Sequence, residues 1–146
     1  MDFLTFALRQ AASGIAKTAE IAQAVANHAA AEDWTMTVCD LTQKNCVPCE
    51  GGVPAMTEAE AQAMMENLDP GWRLENSSLV RRLSFKGFAK PLMHANLAAF
   101  IGDREGHHPD IAFGWGYCTV TFTTHAIGGL SENDFICAAK FDAATT

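Results

Sequence analysis

The chain contains no apolar run that reaches the roughly 18 residues a membrane-spanning helix needs. It is also short of positive charge. Ten Lys and Arg stand against 17 Asp and Glu, giving a net charge of −7 and a pI near 5.1. That balance argues against nucleic-acid binding driven by phosphate contacts. No secretory signal is expected either, since Met1-Asp2-Phe3-Leu4 has no basic stretch. The five cysteines are an odd number, so free thiols in a reducing, cytoplasmic setting are expected. No second Cys-x-x-Cys pair accompanies Cys46-Val47-Pro48-Cys49, and no two histidines have His-x-x-x-His spacing. A zinc site built on Cys39, Cys46 and Cys49 therefore lacks its other half, and no bound metal is expected. A thioredoxin-like redox pair lacks its strand-to-helix context.

What remains is the composition of a globular domain, 49% hydrophobic and 18% charged over 146 residues. The first 33 residues contain no proline and repeat Leu4, Leu8, Ala11, Ile15, Ala19, Ala22, Ala26 and Ala29 at helical steps. Residues 1–38 are read as a helical extension and 39–146 as the main domain. Organelle targeting is the second reading of the extension, although its acidic residues and single arginine oppose it. Residues 39–54 read as a loop. Thr57-Glu58-Ala59-Glu60 is a capping box that should open a short helix reaching Leu68. Trp72–Glu75 and Leu79–Phe85 alternate as two strands around Asn76-Ser77-Ser78. Arg81 falls on the apolar face of the second, which suggests an edge or a frayed end. A helix follows from about Phe88 to Arg104, with Phe88, Leu92, Ala95 and Ala99 on its apolar stripe and Met93, Leu97 and Phe100 beside it. Asp110–Trp115 and Tyr117–Thr124 form another strand pair, and Asp134 to about Ala144 the last helix. The expected fold is α+β: a four-stranded antiparallel sheet with helices packed on one face.

Three of the five histidines fall within 19 residues, in Glu105-Gly106-His107-His108-Pro109-Asp110 and Thr124-His125. Imidazole titrates near neutral pH, so the cluster is a candidate acid/base site. His125 ends one strand and His107 and His108 precede its antiparallel partner, so all three should meet at one end of the sheet. Two structural readings compete. Paired histidines before Pro109 suit a solvated helix C-terminus, and Asp134 can be the third residue of a capping box begun by Ser131. Trp72 is most simply a core aromatic, but it could stack on a flat ligand.

The stretch from Cys46 to Asp142 resembles the pterin-4a-carbinolamine dehydratase family. The resemblance is carried by Cys46-Val47-Pro48-Cys49-Glu50-Gly51-Gly52, Gly71-Trp72, Phe85-Lys86-Gly87-Phe88-Ala89, the paired-histidine motif, and Thr124-His125 followed by Gly129-Leu130-Ser131-Glu132-Asn133-Asp134. It implies loss of water from 4a-hydroxytetrahydropterin to give quinonoid dihydropterin, with no cofactor. It further implies His107 and His125 as the acid/base pair and His108 as a group that orients the pterin. Asp134, Trp72, Pro109, Thr124 and Asp103 are implied in substrate binding. The implied partners are the pterin and other copies of the chain, in a homodimer or homotetramer. The rival implication is a non-catalytic dimerisation or assembly protein on the same fold.

Overall fold

Period-two alternation of apolar residues builds the sheet. Strands β1 (Trp72–Glu75), β2 (Ser78–Ser84), β3 (Asp110–Gly114) and β4 (Tyr117–Phe122) pair antiparallel in the order β1-β2-β4-β3. This computed structural model describes residues 38–48 and 54–146. The expected N-terminal helix and residues 49–53 lie outside the described residues. Register puts Leu79 opposite Phe122, Arg81 opposite Val120, and Leu83 and Phe113 opposite Cys118. One face is therefore apolar, while Arg82, Ser84, Thr119 and Thr121 occupy the other. The β1–β2 turn has two residues, Asn76 and Ser77, with φ of 48° and 60°. Positive φ at both positions is the hairpin geometry that matches strand twist.

Helices α1 (Val38–Gln43), α2 (Glu58–Met65), α3 (Ala89–Glu105) and α4 (Glu132–Thr145) complete the domain, with a 3-10 turn over His125–Ile127. Thr57 and Glu60 form the expected capping box at the start of α2. Pro91 falls in the first turn of α3, where a missing N–H is tolerated. Phe135, Ile136, Cys137, Ala138, Ala139 and Phe141 of α4 are all buried, packed with Trp72, Leu79, Val120 and Phe122 of the sheet. The architecture is the α+β arrangement expected from the strand and helix pattern.

Three local expectations need correction. The span read as a loop from residue 39 contains α1, whose Leu41 is buried in the core. Arg81 is at neither an edge nor a frayed end, because β2 is a central strand. Its guanidinium is buried in an ion pair with Asp142 and lies 3.1 Å from Asp69. It also covers the rings of Trp72 and Phe141. The inward face of α3 is rotated from the expected stripe. Pro91, Ala95, Ala98 and Ile101 are buried, whereas Phe88, Leu92, Met93 and Phe100 are exposed. Small residues take the inner face because the helix sits close on the sheet, and the bulky apolar ones are left outside.

Candidate active site

Helix α3 ends at Gly106, whose φ of 65° lets the chain reverse without a Cβ penalty. The His107 N–H then donates to Gly102 O at 3.0 Å, and the chain folds back across the helix end. Gly102 permits this close approach. A Cβ there would lie 2.5 Å from Pro109 Cδ and 3.0 Å from His107 O. The turn buries one of the two adjacent histidines and exposes the other. His107 is 9% exposed and stacks on Phe122, with ring centroids 6.2 Å apart and planes 14° from parallel. His108 remains in solvent with its Nε2 3.9 Å from Asp103. The solvated-helix-end reading thus describes His108 and not His107.

His107 Nε2 meets Asp134 Oδ1 at 2.6 Å, and Asp134 is completely buried. The other carboxylate oxygen, Oδ2, accepts from the Ser131 N–H at 2.8 Å and from the Thr124 hydroxyl at 2.8 Å. Asp134 is therefore both the capping-box carboxylate of α4 and the anchor of an imidazole, one oxygen for each. A carboxylate only accepts, so in the neutral ring the proton facing it is on Nε2 and the lone pair is on Nδ1. Ser131 Oγ lies 2.7 Å from Thr124 Oγ1, so a chain of hydroxyls backs the carboxylate.

Strand β4 ends at Phe122, and Thr124 is held by an isolated bridge to Gly129. His125 begins the 3-10 turn that follows. The strand pattern placed His125 at the end of a strand; it is exposed and stands on a turn instead. Its Nε2 is 3.8 Å from Asp110 Oδ2. Both groups are well exposed, so the pair stabilises little.

A pocket of about 260 Å³ lies at this end of the sheet. His107, His108 and His125 all line it, with Gly106, Thr123, Thr124, Ala126, Val47 and Asn133. The three imidazoles thus come together at one end of the sheet, as the strand pairing predicts. Asn133 and Val47 had escaped the reading of the sequence. The Asn133 amide donates to Val47 O at 2.7 Å and accepts from Val47 N–H at 3.1 Å, tying the 46–48 segment to the start of α4. The adjacency of Asn133 to Asp134 was the only signal. Gly102 had no signal at all.

Other expected binding residues lie elsewhere. Trp72 is wholly buried in the core, and its Nε1–H donates to Asp142 Oδ1 at 2.9 Å. It is not a pocket wall, because α4 and β2 cover it. Pro109 packs on Gly102 behind the histidine turn and does not line the pocket. Asp103 borders the site only through His108. A second hollow of about 280 Å³, between Thr57 and the β1–β2 turn, contains no histidine. Among the described residues no group of three or more His, Cys, Asp and Glu side chains gathers in a way that could hold a metal. Nor is any helix among them long and apolar enough to cross a membrane.

The family described as pterin 4 alpha carbinolamine dehydratase matches residues 54–144. A Nitrosomonas europaea protein named "Putative pterin-4-alpha-carbinolamine dehydratase" is 50% identical over 105 residues, covering 72% of this chain and 93% of its own length. A Methylococcus capsulatus protein of the same name is 47% identical, with 73% and 95% covered. Among solved structures, a Brucella melitensis chain titled "transcriptional coactivator/pterin dehydratase" superposes with a TM-score of 0.57 at 28% identity. That match covers 63% of this chain and 99% of the Brucella chain.

Proposed function

The chain belongs to the pterin 4 alpha carbinolamine dehydratase family, and from that premise we propose that it converts 4a-hydroxytetrahydropterin to quinonoid dihydropterin by histidine acid/base catalysis. The observation that carries the reading is the buried Asp134–His107 pair opening onto a pocket that His108 and His125 share. Loss of water needs a proton delivered to the 4a-hydroxyl oxygen and a proton removed from N5. His107, held by Asp134 through Nε2, presents Nδ1 as the acceptor for the N5 proton. The buried carboxylate then faces the imidazolium that results. His125, at the rim, donates to the departing hydroxyl. His108 orients the ring, with Asp103 beside it. Positioned groups of this kind supply about 10²–10⁴-fold each. A pocket of about 260 Å³ is close to the small end of ligand sites, roughly 300 Å³. That suits a two-ring heterocycle whose side chain extends into solvent.

The product is the form that a reductase returns to tetrahydropterin, so the reaction belongs in tetrahydropterin recycling, in the cytoplasm. The partner set is the pterin and further copies of this chain. Phe88 at the N-cap of α3, Leu92, Met93 and Phe100 on it, and Phe113 on the edge strand β3 form an exposed apolar face suited to a homodimer or homotetramer. The same face supports the second reading, a non-catalytic dimerisation or assembly protein. The experiment that separates the two is direct dehydration of 4a-hydroxytetrahydropterin by the purified chain. Turnover well above the spontaneous rate, lost in His107→Ala, supports the enzyme. A rate equal to the spontaneous one refutes it.

A further inference from the structure

The Cys46 motif carries no part of the proposed chemistry, and its surroundings contain a second reactive arrangement. Cys46 Sγ lies 3.6 Å from Cys137 Sγ across 91 residues of sequence, with both cysteines unbonded. We propose that Cys46 and Cys137 form an oxidisable dithiol behind the pocket-lining residues Val47, His107 and Asn133, closing to a disulfide when a hydroperoxide reaches Cys46. The pairing differs from the Cys46–Cys49 pair that the sequence motif suggests.

The geometry distributes the roles. Cys46 is half-buried and Cys137 is buried, so Cys46 is the sulfur a small oxidant reaches. Cys137, whose Sγ lies 3.6 Å away, is placed as the resolving partner; contact with Cys46 and burial push its thiol up, so its proton has to leave with the departing hydroxyl. In the first step the Cys46 sulfur attacks the peroxide, an S–O bond forms, the O–O bond breaks, and the Cys46 proton leaves with the distal oxygen as water or an alcohol. In the second the Cys137 sulfur attacks the sulfenic sulfur, the S–S bond forms, and the hydroxyl departs as water with the Cys137 proton. Two thiols lose two electrons and the hydroperoxide gains them. Side-chain rotation has to shorten the sulfur separation to about 2.05 Å.

The bond would reach the pocket directly. Cys46 Sγ contacts Asn133 O at 3.6 Å, and Cys137 Sγ contacts His107 O at 3.8 Å. The Cys46 N–H donates to Glu105 Oε2 at 3.1 Å. Non-covalent contacts thus hold the 46–48 segment beside the histidine turn, and oxidation would turn that clasp into a covalent tether.

The test is disulfide mapping by tandem mass spectrometry after the reduced full-length chain is treated with hydrogen peroxide. Wild type, Cys49→Ser, Cys46→Ser and Cys137→Ser are compared. The expected result is a Cys46–Cys137 cross-linked peptide, short of two hydrogens, in wild type and Cys49→Ser. It is reversed by dithiothreitol and absent from the other two variants. A rise in melting temperature on oxidation should appear only where the cross-link forms. Linkage of Cys46 to Cys49 would overturn the proposal. So would Cys46 oxidised to sulfinic acid while Cys137 remains a free thiol.

Discussion

Replacing Asp134 by Asn keeps the size of a fully buried side chain and changes only what its two terminal atoms can do. In the native protein Oδ2 faces the Ser131 N–H, which can only donate, and Oδ1 faces His107 Nε2. An asparagine satisfies the Ser131 N–H only by placing its oxygen there. Its NH₂ then points at His107 and donates to Nε2. His107 must carry its proton on Nδ1, the nitrogen left for the pocket, and can no longer accept one from the substrate. The substitution thus inverts the tautomer while leaving the cap in place. The same logic in a serine-protease triad, where an Asp-to-Asn change imposes the wrong tautomer, costs about 10⁴ in kcat. Loss of one acid/base group generally costs about 10²–10⁴. A fall in kcat of about 10³ is expected for Asp134→Asn, with a smaller change in KM. Removing a charge-assisted hydrogen bond costs about 1.5–3 kcal/mol, so a domain stable by about 5–15 kcal/mol should remain folded. The assay is the initial rate of 4a-hydroxytetrahydropterin dehydration, paired with imidazole ¹⁵N shifts that report the tautomer. Near-native turnover in a folded variant whose His107 proton has moved to Nδ1 would refute the assignment of His107 as the base.

Four other outcomes test separate parts of the structure. His125→Ala should slow dehydration by about 10²-fold or more with little change in melting temperature, because the side chain is exposed at the rim. Trp72→Phe removes the Nε1–H donor to Asp142 and should cost about 2 kcal/mol in denaturant unfolding, yet leave KM for the carbinolamine unchanged; a raised KM would put the pterin against Trp72. Gly102→Ala should destabilise by about 1–3 kcal/mol and lower turnover as well, because its methyl displaces Pro109 and the His107 backbone. Burial opposes ionisation of Glu105, but the bonds from Lys140 and the Cys46 N–H prevail and hold its carboxyl below the ordinary 4.5. Its contribution to stability is therefore present above 4.5 and lost as pH falls through the lowered value; hydrogen exchange at Cys46 and Val47 should accelerate there relative to the rest of the sheet, and uniform exchange would contradict this.

Much of the architecture is local and periodic, and that part was legible. Alternation in Tyr117–Phe122 and the Thr57–Glu60 capping box depend on near neighbours, so strand faces and helix starts followed from spacing. The inward face of α3 did not. Apolar residues surround that helix, and only the close approach to β3 and β4 selects Ala95 and Ala98 over Leu92 and Phe100. Arg81 misled for a related reason. A charge on an apolar face reads as an edge until its partners are known, and Asp142 is 61 residues away. Trp72 was ambiguous because an indole suits a core or a ligand wall equally. Its N–H is satisfied by that same Asp142, which removes the need for a ligand.

Asp134 shows most clearly why the site was only half legible. Ser131-x-x-Asp134 is a capping box by spacing, and a cap is sufficient reason for an aspartate at that position. The sequence set the structural and functional readings against each other as alternatives. They are alternatives only if one oxygen does all the work. The cap occupies Oδ2, and the helix start it fixes aims Oδ1 at the one histidine that the Gly106 turn has buried. Ser131→Ala should therefore leave the Asp134–His107 bond intact, because the retained Ser131 backbone N–H still fixes Oδ2. Helix stability should fall by about 1 kcal/mol, while kcat changes far less than in Asp134→Asn. Equal losses of kcat in the two variants would mean that the Ser131 hydroxyl, and not the backbone N–H, sets the geometry of the imidazole.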